Sequence, residues 1–207
     1  MTESATRAAY DAVAVLYADL FRTYLDDLPL DRSLIAAFAD LVRDRGPVAD
    51  VGCGPGQITA FLHSLGVDAS GVDLSPAMLA QARADHPHLS FAEGTMTALD
   101  LPDASLAGVV AWYSTIHLEP AELPEAFAEF HRVLAPGGHL LLAFQSTDGD
   151  APEPFDHKVV RAHRRPIGYL AGIARRAGLT EVARLLRRPD ENEHSPAGHL
   201  LLRKPSG

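Results

Sequence analysis

Asp50-Val51-Gly52-Cys53-Gly54-Pro55-Gly56 follows a short apolar run, Val48 to Val51, and precedes a helical pattern from Ile58 to Leu65. Strand, glycine-rich turn and helix in that order put free backbone N–H groups where a ligand can approach closely. A nicotinamide dinucleotide would call for G-x-G-x-x-G, with its pyrophosphate on the helix start. Here the glycines fall at every second position, 52, 54 and 56, and Asp50 stands two residues before the first. A carboxylate there repels a pyrophosphate and suits a ligand with a cationic amino group.

Working outward, Val67 to Asp73 reads as the next strand and ends in Gly71-Val72-Asp73-Leu74-Ser75. Asp73 lies 23 residues after Asp50. An acid at that place can accept both hydroxyls of a ribose. Taken alone it would serve equally as a turn or capping aspartate, and the first motif at this separation favours the ribose. Pro76 to Ala84 is a helix with Ser75 as its N-cap and proline at the first position. Leu89 to Ala92 and Leu106 to Trp112 are strands, Glu122 to Leu134 a helix, Pro136-Gly137-Gly138 a turn and His139 to Phe144 an apolar strand. Five strands alternating with helices imply a parallel sheet covered on both faces.

The flanks read differently. Thr6 to Leu25 is helical, and Tyr10, Tyr17 and Tyr24 recur every seven residues on one stripe. That stripe either packs on the core or covers a ligand. A second helix runs from Arg32 to Arg45, with Asp31 as N-cap and Gly46 as its stop. Gln145 to Pro154 is an exposed loop, Pro166 to Ala177 a helix, and Thr180 to Leu186 and Gly198 to Leu202 two strands. The connector with Asp190, Glu191, Asn192 and Glu193 is short enough for an antiparallel pair. There are no repeats or low-complexity tracts.

Bulk properties set outer bounds. A chain of 207 residues with 47% hydrophobic and 22% charged residues suits a single α/β domain. Cys53 is the sole cysteine, so neither an internal disulfide nor a thiolate zinc cluster can form. The net charge of −9 opposes a nucleic-acid partner, despite short basic clusters at Arg161 to Arg165 and Arg184 to Arg188. No signal peptide or membrane-length apolar run is visible, and the expected setting is cytoplasmic.

With these pieces in place, the sequence resembles the class I S-adenosylmethionine-dependent methyltransferases, and more narrowly the small bacterial enzymes that act on metabolites. The resemblance runs through residues 47 to 145. It rests on the order and spacing of VADVGCGPGQIT, GVDLSPAMLAQAR, Leu101-Pro102-Asp103, VVAWYSTIHL and HRVLAPGGHLLLAF. It implies a Rossmann-like, doubly wound seven-stranded sheet, mostly parallel with an antiparallel last strand, in three α/β/α layers. A single domain would then comprise a helical lid over 1–30, a cofactor-binding core over 31–145 and a substrate-side segment over 146–207.

The resemblance further implies a methionine portion against the Gly52, Cys53, Gly54 and Gly56 backbone beside Asp50, ribose on Asp73, and adenine packed by Leu74 and Met78. Thr95 stands where the family commonly has an aspartate, in Glu93-Gly94-Thr95-Met96, so its hydroxyl or the backbone would hold the adenine amino group while Met96 packs on the ring. Ala107 likewise replaces a common aspartate. Ala111 and Trp112 end the fourth strand and would border the methyl donor, with Tyr17 closing over it. No Asn/Asp-Pro-Pro-Tyr motif occurs, which sets the chain apart from the family's enzymes that methylate nucleic-acid amino groups.

A small-molecule oxygen or nitrogen is the expected acceptor, and a monomer or homodimer the expected form. Methyl transfer needs alignment above all, with a base where the acceptor is a hydroxyl. His117 is the first candidate base, or else it packs the turn before Pro120. His157 and His163 are second candidate bases, or else solvated loop histidines, and Tyr10, Tyr113, His157, Arg161 and His163 are candidates for holding the acceptor. Arg161, Arg164 and Arg165 either face solvent or bind an acidic one. The alternative is a non-methylating protein that binds S-adenosylmethionine for another reaction or as a sensor.

Overall fold

In the computed structural model of the chain, residues 2–190 and 193–206 are described; Glu191 and Asn192 of the acidic connector lie outside them. The elements run α1 Glu3–Phe21, α2 Pro29–Val42, β1 Val48–Val51, α3 Gln57–Ser64, β2 Ala69–Asp73, α4 Pro76–Asp85, β3 Ser90–Glu93, β4 Leu106–Trp112, α5 Leu123–Val133, β5 Leu134–Gln145, β6 Glu153–Asp156, β7 Arg161–Arg164, α6 Ile167–Arg176, β8 Thr180–Arg187 and β9 Ala197–Arg203. A 3-10 turn, Thr115–His117, follows β4.

The sheet order is β3-β2-β1-β4-β5-β9-β8, and β9 runs antiparallel to both neighbours. The expected seven-stranded, mostly parallel sheet is therefore present. Period-two side-chain alternation splits β4 between two cores. Val109 and Ala111 face α5 and α6 through Phe127, Phe130 and Leu170. Val110 and Trp112 face α2 and α3 through Phe38, Val42 and Leu62. Every residue of β4 is buried, as befits a central parallel strand. Chain order reverses between β1 and β4, so a crevice opens beyond their carboxyl ends.

Several boundaries differ from the sequence reading. Helix α2 begins at Pro29, which fits the first helical position, so Asp31 lies inside the first turn and is not the cap. The Asp31 carboxylate is buried instead, 3.2 Å from His199 Nε2 and 3.5 Å from Arg187 Nε. Arg187 in turn grips Glu193 at 2.6 Å. Helix α1 stops at Phe21, which leaves Tyr24 beyond it with its ring 6.5 Å from that of Tyr113. Pro136-Gly137-Gly138 is an interruption within β5, where pairing with β4 jumps from Leu134 to His139. The expected loop, Gln145 to Pro154, gives way at Glu153 to a β6–β7 hairpin that the sequence reading did not assign; its short strands are charged and lack apolar alternation. Among the described residues no helix is long and apolar enough to cross a membrane.

Candidate functional site

The crevice at the strand ends widens into a cavity with an empty volume of about 1000 Å³ counted to its open mouth. Its floor is Val51, Gly52 and Gly54 at the end of β1, with Asp73 and Leu74 at the end of β2. Gly94 to Thr97 after β3 form one flank, and Trp112, Tyr113 and Ser114 at the end of β4 form the other. Helix α1 roofs it with Tyr10 and Tyr17, and the 3-10 turn contributes His117.

Two glycines of the loop do different work. A Cβ on Gly52, at φ 77°, would sit 2.2 Å from the Ser114 Cβ, so only glycine lets the loop meet the end of β4. Ser114 Oγ completes that junction by donating to the Val51 carbonyl at 2.7 Å. Above Gly54 nothing lies within 4 Å of where a Cβ would be, so this residue leaves an open cradle. Its N–H donates to Asp73 Oδ2 at 2.7 Å, and Ser75 N–H donates to Oδ1 at 2.8 Å. Burial nevertheless raises the Asp73 pKa against those two bonds.

Tyr10, Tyr17, Gly52, Gly54, Asp73, Leu74, Met78, Thr95, Met96, Trp112, Tyr113 and His117 all line this cavity. Asp50, Cys53, Gly56, Ala111, His157, Arg161 and His163 do not line it. Asp50 is buried beneath the loop, where its Oδ2 accepts from the Thr59 hydroxyl at 2.7 Å. Burial pushes its pKa up to about 7, and Oδ1 has no hydrogen-bond partner. Cys53 is buried alongside as a free thiol, and Ala111 faces the sheet core. Gly56 is the left-handed cap of α3, packed near Phe91. Thr95 turns its hydroxyl to Thr97 Oγ1 at 3.0 Å.

The histidines sort themselves by depth. His117 Nε2 lies 2.6 Å from the Tyr10 hydroxyl. Burial lowers its pKa to about 3, with His157 adding to the effect. The neutral ring accepts the tyrosine O–H at Nε2 in the tautomer that carries its proton on Nδ1, and donates to the tyrosine oxygen in the other. His157 stands behind His117, with ring centroids 5.1 Å apart. His163 turns away toward Glu119 at 3.7 Å. Tyr113 has φ 54°, an uncommon conformation for a bulky residue, and it falls where β4 leaves the sheet for the cavity.

Two further residues, Asp11 and Arg7, shape the site without having been singled out from the sequence, and a third, Arg165, takes a role other than those expected. Asp11 Oδ1 on α1 accepts from Ser75 Oγ at 2.5 Å and from Ala77 N at 3.2 Å, at the start of α4. Arg7 pairs with Glu93 at 2.7 Å, so two polar contacts clamp the roof helix onto α4 and β3. Arg165, read above as solvent-facing or acceptor-binding, is fully buried. It donates to the Thr115 carbonyl at 3.1 Å and also to that of Leu118, which fixes the turn bearing His117. Each of these partners is more than 40 residues away in sequence, which hides the pairing from local pattern.

The methyltransferase-domain family matches residues 48–138. The demethylmenaquinone methyltransferase of Chlorobaculum tepidum is 34% identical over 144 residues, 66% of this chain and 58% of that protein. The chain thus spans less than two thirds of that relative. The malonyl-[acyl-carrier protein] O-methyltransferase of Dechloromonas aromatica is 31% identical over 191 residues, 87% of this chain and 70% of that protein. Among solved structures, a SAM-dependent methyltransferase of Methanosarcina mazei superposes with a TM-score of 0.73 at 16% identity, over 83% of this chain and 98% of that one. A likeness at that identity shows the fold.

Proposed function

Because the chain belongs to the class I S-adenosylmethionine-dependent methyltransferases, we propose that it transfers a methyl group to an oxygen or nitrogen of a small metabolite. One observation carries this reading: the open cradle over Gly54, the Asp73 carboxylate and His117 border a single cavity. S-adenosylmethionine, the family's cofactor, supplies a methyl group already activated on a sulfonium sulfur. The residues present fit it. Gly52 and Gly54 leave backbone exposed to its methionine part, Asp73 offers two carboxylate oxygens to the ribose, and Leu74, Met78 and Met96 give an apolar shelf for adenine. Tyr10 and Tyr17 roof the space and exclude water, which strengthens polar contacts beneath them.

On the acceptor side, His117 holds the Tyr10 hydroxyl in place and is itself neutral at physiological pH. A histidine of such low basicity contributes mainly by accepting a hydrogen bond, from Tyr10 or from an acceptor that displaces it. Alignment then supplies most of the rate. Its weak basicity is also the observation that favours the second reading, a protein that binds the cofactor without transferring its methyl.

The two named relatives differ in the acceptor their names state, so likeness leaves the acceptor open. Incubation with labelled S-adenosylmethionine and a metabolite extract tests the proposal. A labelled small-molecule product is expected. Tight binding of the cofactor with no labelled product from any extract would favour the second reading.

A further inference from the structure

Charge around the cavity is one-sided. Among the described lining residues, Glu3, Asp73 and Glu122 carry carboxylates and Arg7 alone carries a cation, which is committed to Glu93 at 2.7 Å. The arginines that sequence offered to an acidic acceptor are occupied elsewhere. Arg161 lines an outer groove with Pro154, Phe155 and Asp156. Arg164 lies over the Phe155 ring at 4.6 Å. Arg165 is spent on backbone carbonyls in the core.

The titrating groups tell the same story from inside. Burial and then the Asp73 charge push Tyr17 up to about 12. His117, neutral through the physiological range, offers no positive charge. A carboxylate or phosphate entering the space beside His117 would lose its hydration and meet no lining cation that is not already paired, and such burial is strongly unfavourable. Positive charge meets the opposite situation, since Glu122 and Glu3 stand at the wall.

We propose that the part of the acceptor that enters the cavity is neutral or cationic, and that the site rejects carboxylates and phosphates. This rests on the methyl-transfer reading, because it takes the same cavity to hold cofactor and acceptor together. It also separates this chain from an acceptor with a free acid at its reacting end.

The test uses the full chain loaded with S-adenosylhomocysteine and three probes of one size: benzylamine, benzyl alcohol and benzoate. Trp112, the sole tryptophan, lines the cavity and reports binding by fluorescence. Benzoate is expected to bind at least tenfold more weakly than the better of the other two. Benzoate binding as tightly as benzyl alcohol, or three indistinguishable titrations, overturns the charge selection while leaving the function intact. Failure to load S-adenosylhomocysteine, read in a separate titration beforehand, overturns both.

Discussion

The two ends of the cavity are built by different means. At the end proposed for the cofactor the parts are backbone: the turn at Gly52 and Gly54, with Asp73 tied to it by the Gly54 N–H across 19 residues. At the acceptor end they are side chains brought from afar, with Tyr10 meeting His117 across 107 residues and Arg165 holding Thr115 across 50. A backbone site tolerates few substitutions because its shape is the conformation itself. A side-chain site exchanges residues without disturbing the sheet, so the acceptor can change while the cofactor end stays fixed.

Breaking the first end should have the largest effect. Gly52→Ala forces a Cβ against Ser114 at a left-handed φ and is expected to destabilise the fold by about 2–4 kcal/mol, seen as a lower denaturation midpoint. Gly54→Ala has room for its methyl, so its midpoint should fall by less than half as much while S-adenosylhomocysteine affinity drops at least tenfold. Equal stability losses in the two variants would erase the distinction between turn and cradle. Next, Asp73→Ala removes two charge-assisted acceptors and should weaken S-adenosylhomocysteine about a hundredfold by calorimetry.

The second end should yield selectively. His117→Ala is expected to bind S-adenosylhomocysteine within threefold of the parent and to lower turnover at least tenfold; unchanged turnover removes His117 from the chemistry. The pH profile adds to this. Burial holds the His117 pKa at about 3 against an ordinary 6.5, so its contribution to stability is complete above about 6.5 and is lost as pH falls toward 3. Turnover should therefore show no histidine limb between pH 5 and 8. A limb near 6.5 would mean that His117 is hydrated in the working state.

The smallest effect concerns the carboxylate beneath the loop. Asp50 is raised to about 7 from 3.8, so its contribution to stability is present below 3.8 and lost as pH rises through 7. Asp50→Asn keeps an acceptor for Thr59 and removes the charge. Its melting temperature should gain on the parent between pH 5 and pH 8, and a constant difference would show that Asp50 does not titrate there.

The same contrast explains what the sequence made legible. The glycine spacing, Asp73 and the strand–helix alternation are local signals; they foretold the sheet, and the residues they marked at its strand ends include Gly52, Gly54 and Asp73 of the cavity floor. Asp50 was expected beside the cofactor's amino group, whereas its carboxylate lies beneath the loop on the Thr59 hydroxyl: it alternates with Val51 along β1, and Val51 is the one that lines the cavity. Asp31 looked like a cap because the helix was expected to start at Arg32, three residues after its actual first residue, Pro29. Arg165 looked exposed because it follows other arginines, and no local pattern marks the turn it reaches. The β6–β7 hairpin lacked any apolar alternation to reveal it.

The Asp11 contact carries a kinetic consequence. Ser75 Oγ accepts the Met78 N–H at 3.1 Å while donating to Asp11, so one short relay ends helix α4 and fastens the roof. Lifting α1 leaves the serine proton and the Ala77 N–H unanswered, and loosens the turn that carries Met78. Were α1 to lift for a ligand to enter, entry would be coupled to fraying of the very shelf that ligand would rest on. The amides of Ala77 and Met78 would exchange with solvent at the rate the roof opens, and a bound ligand would slow both together.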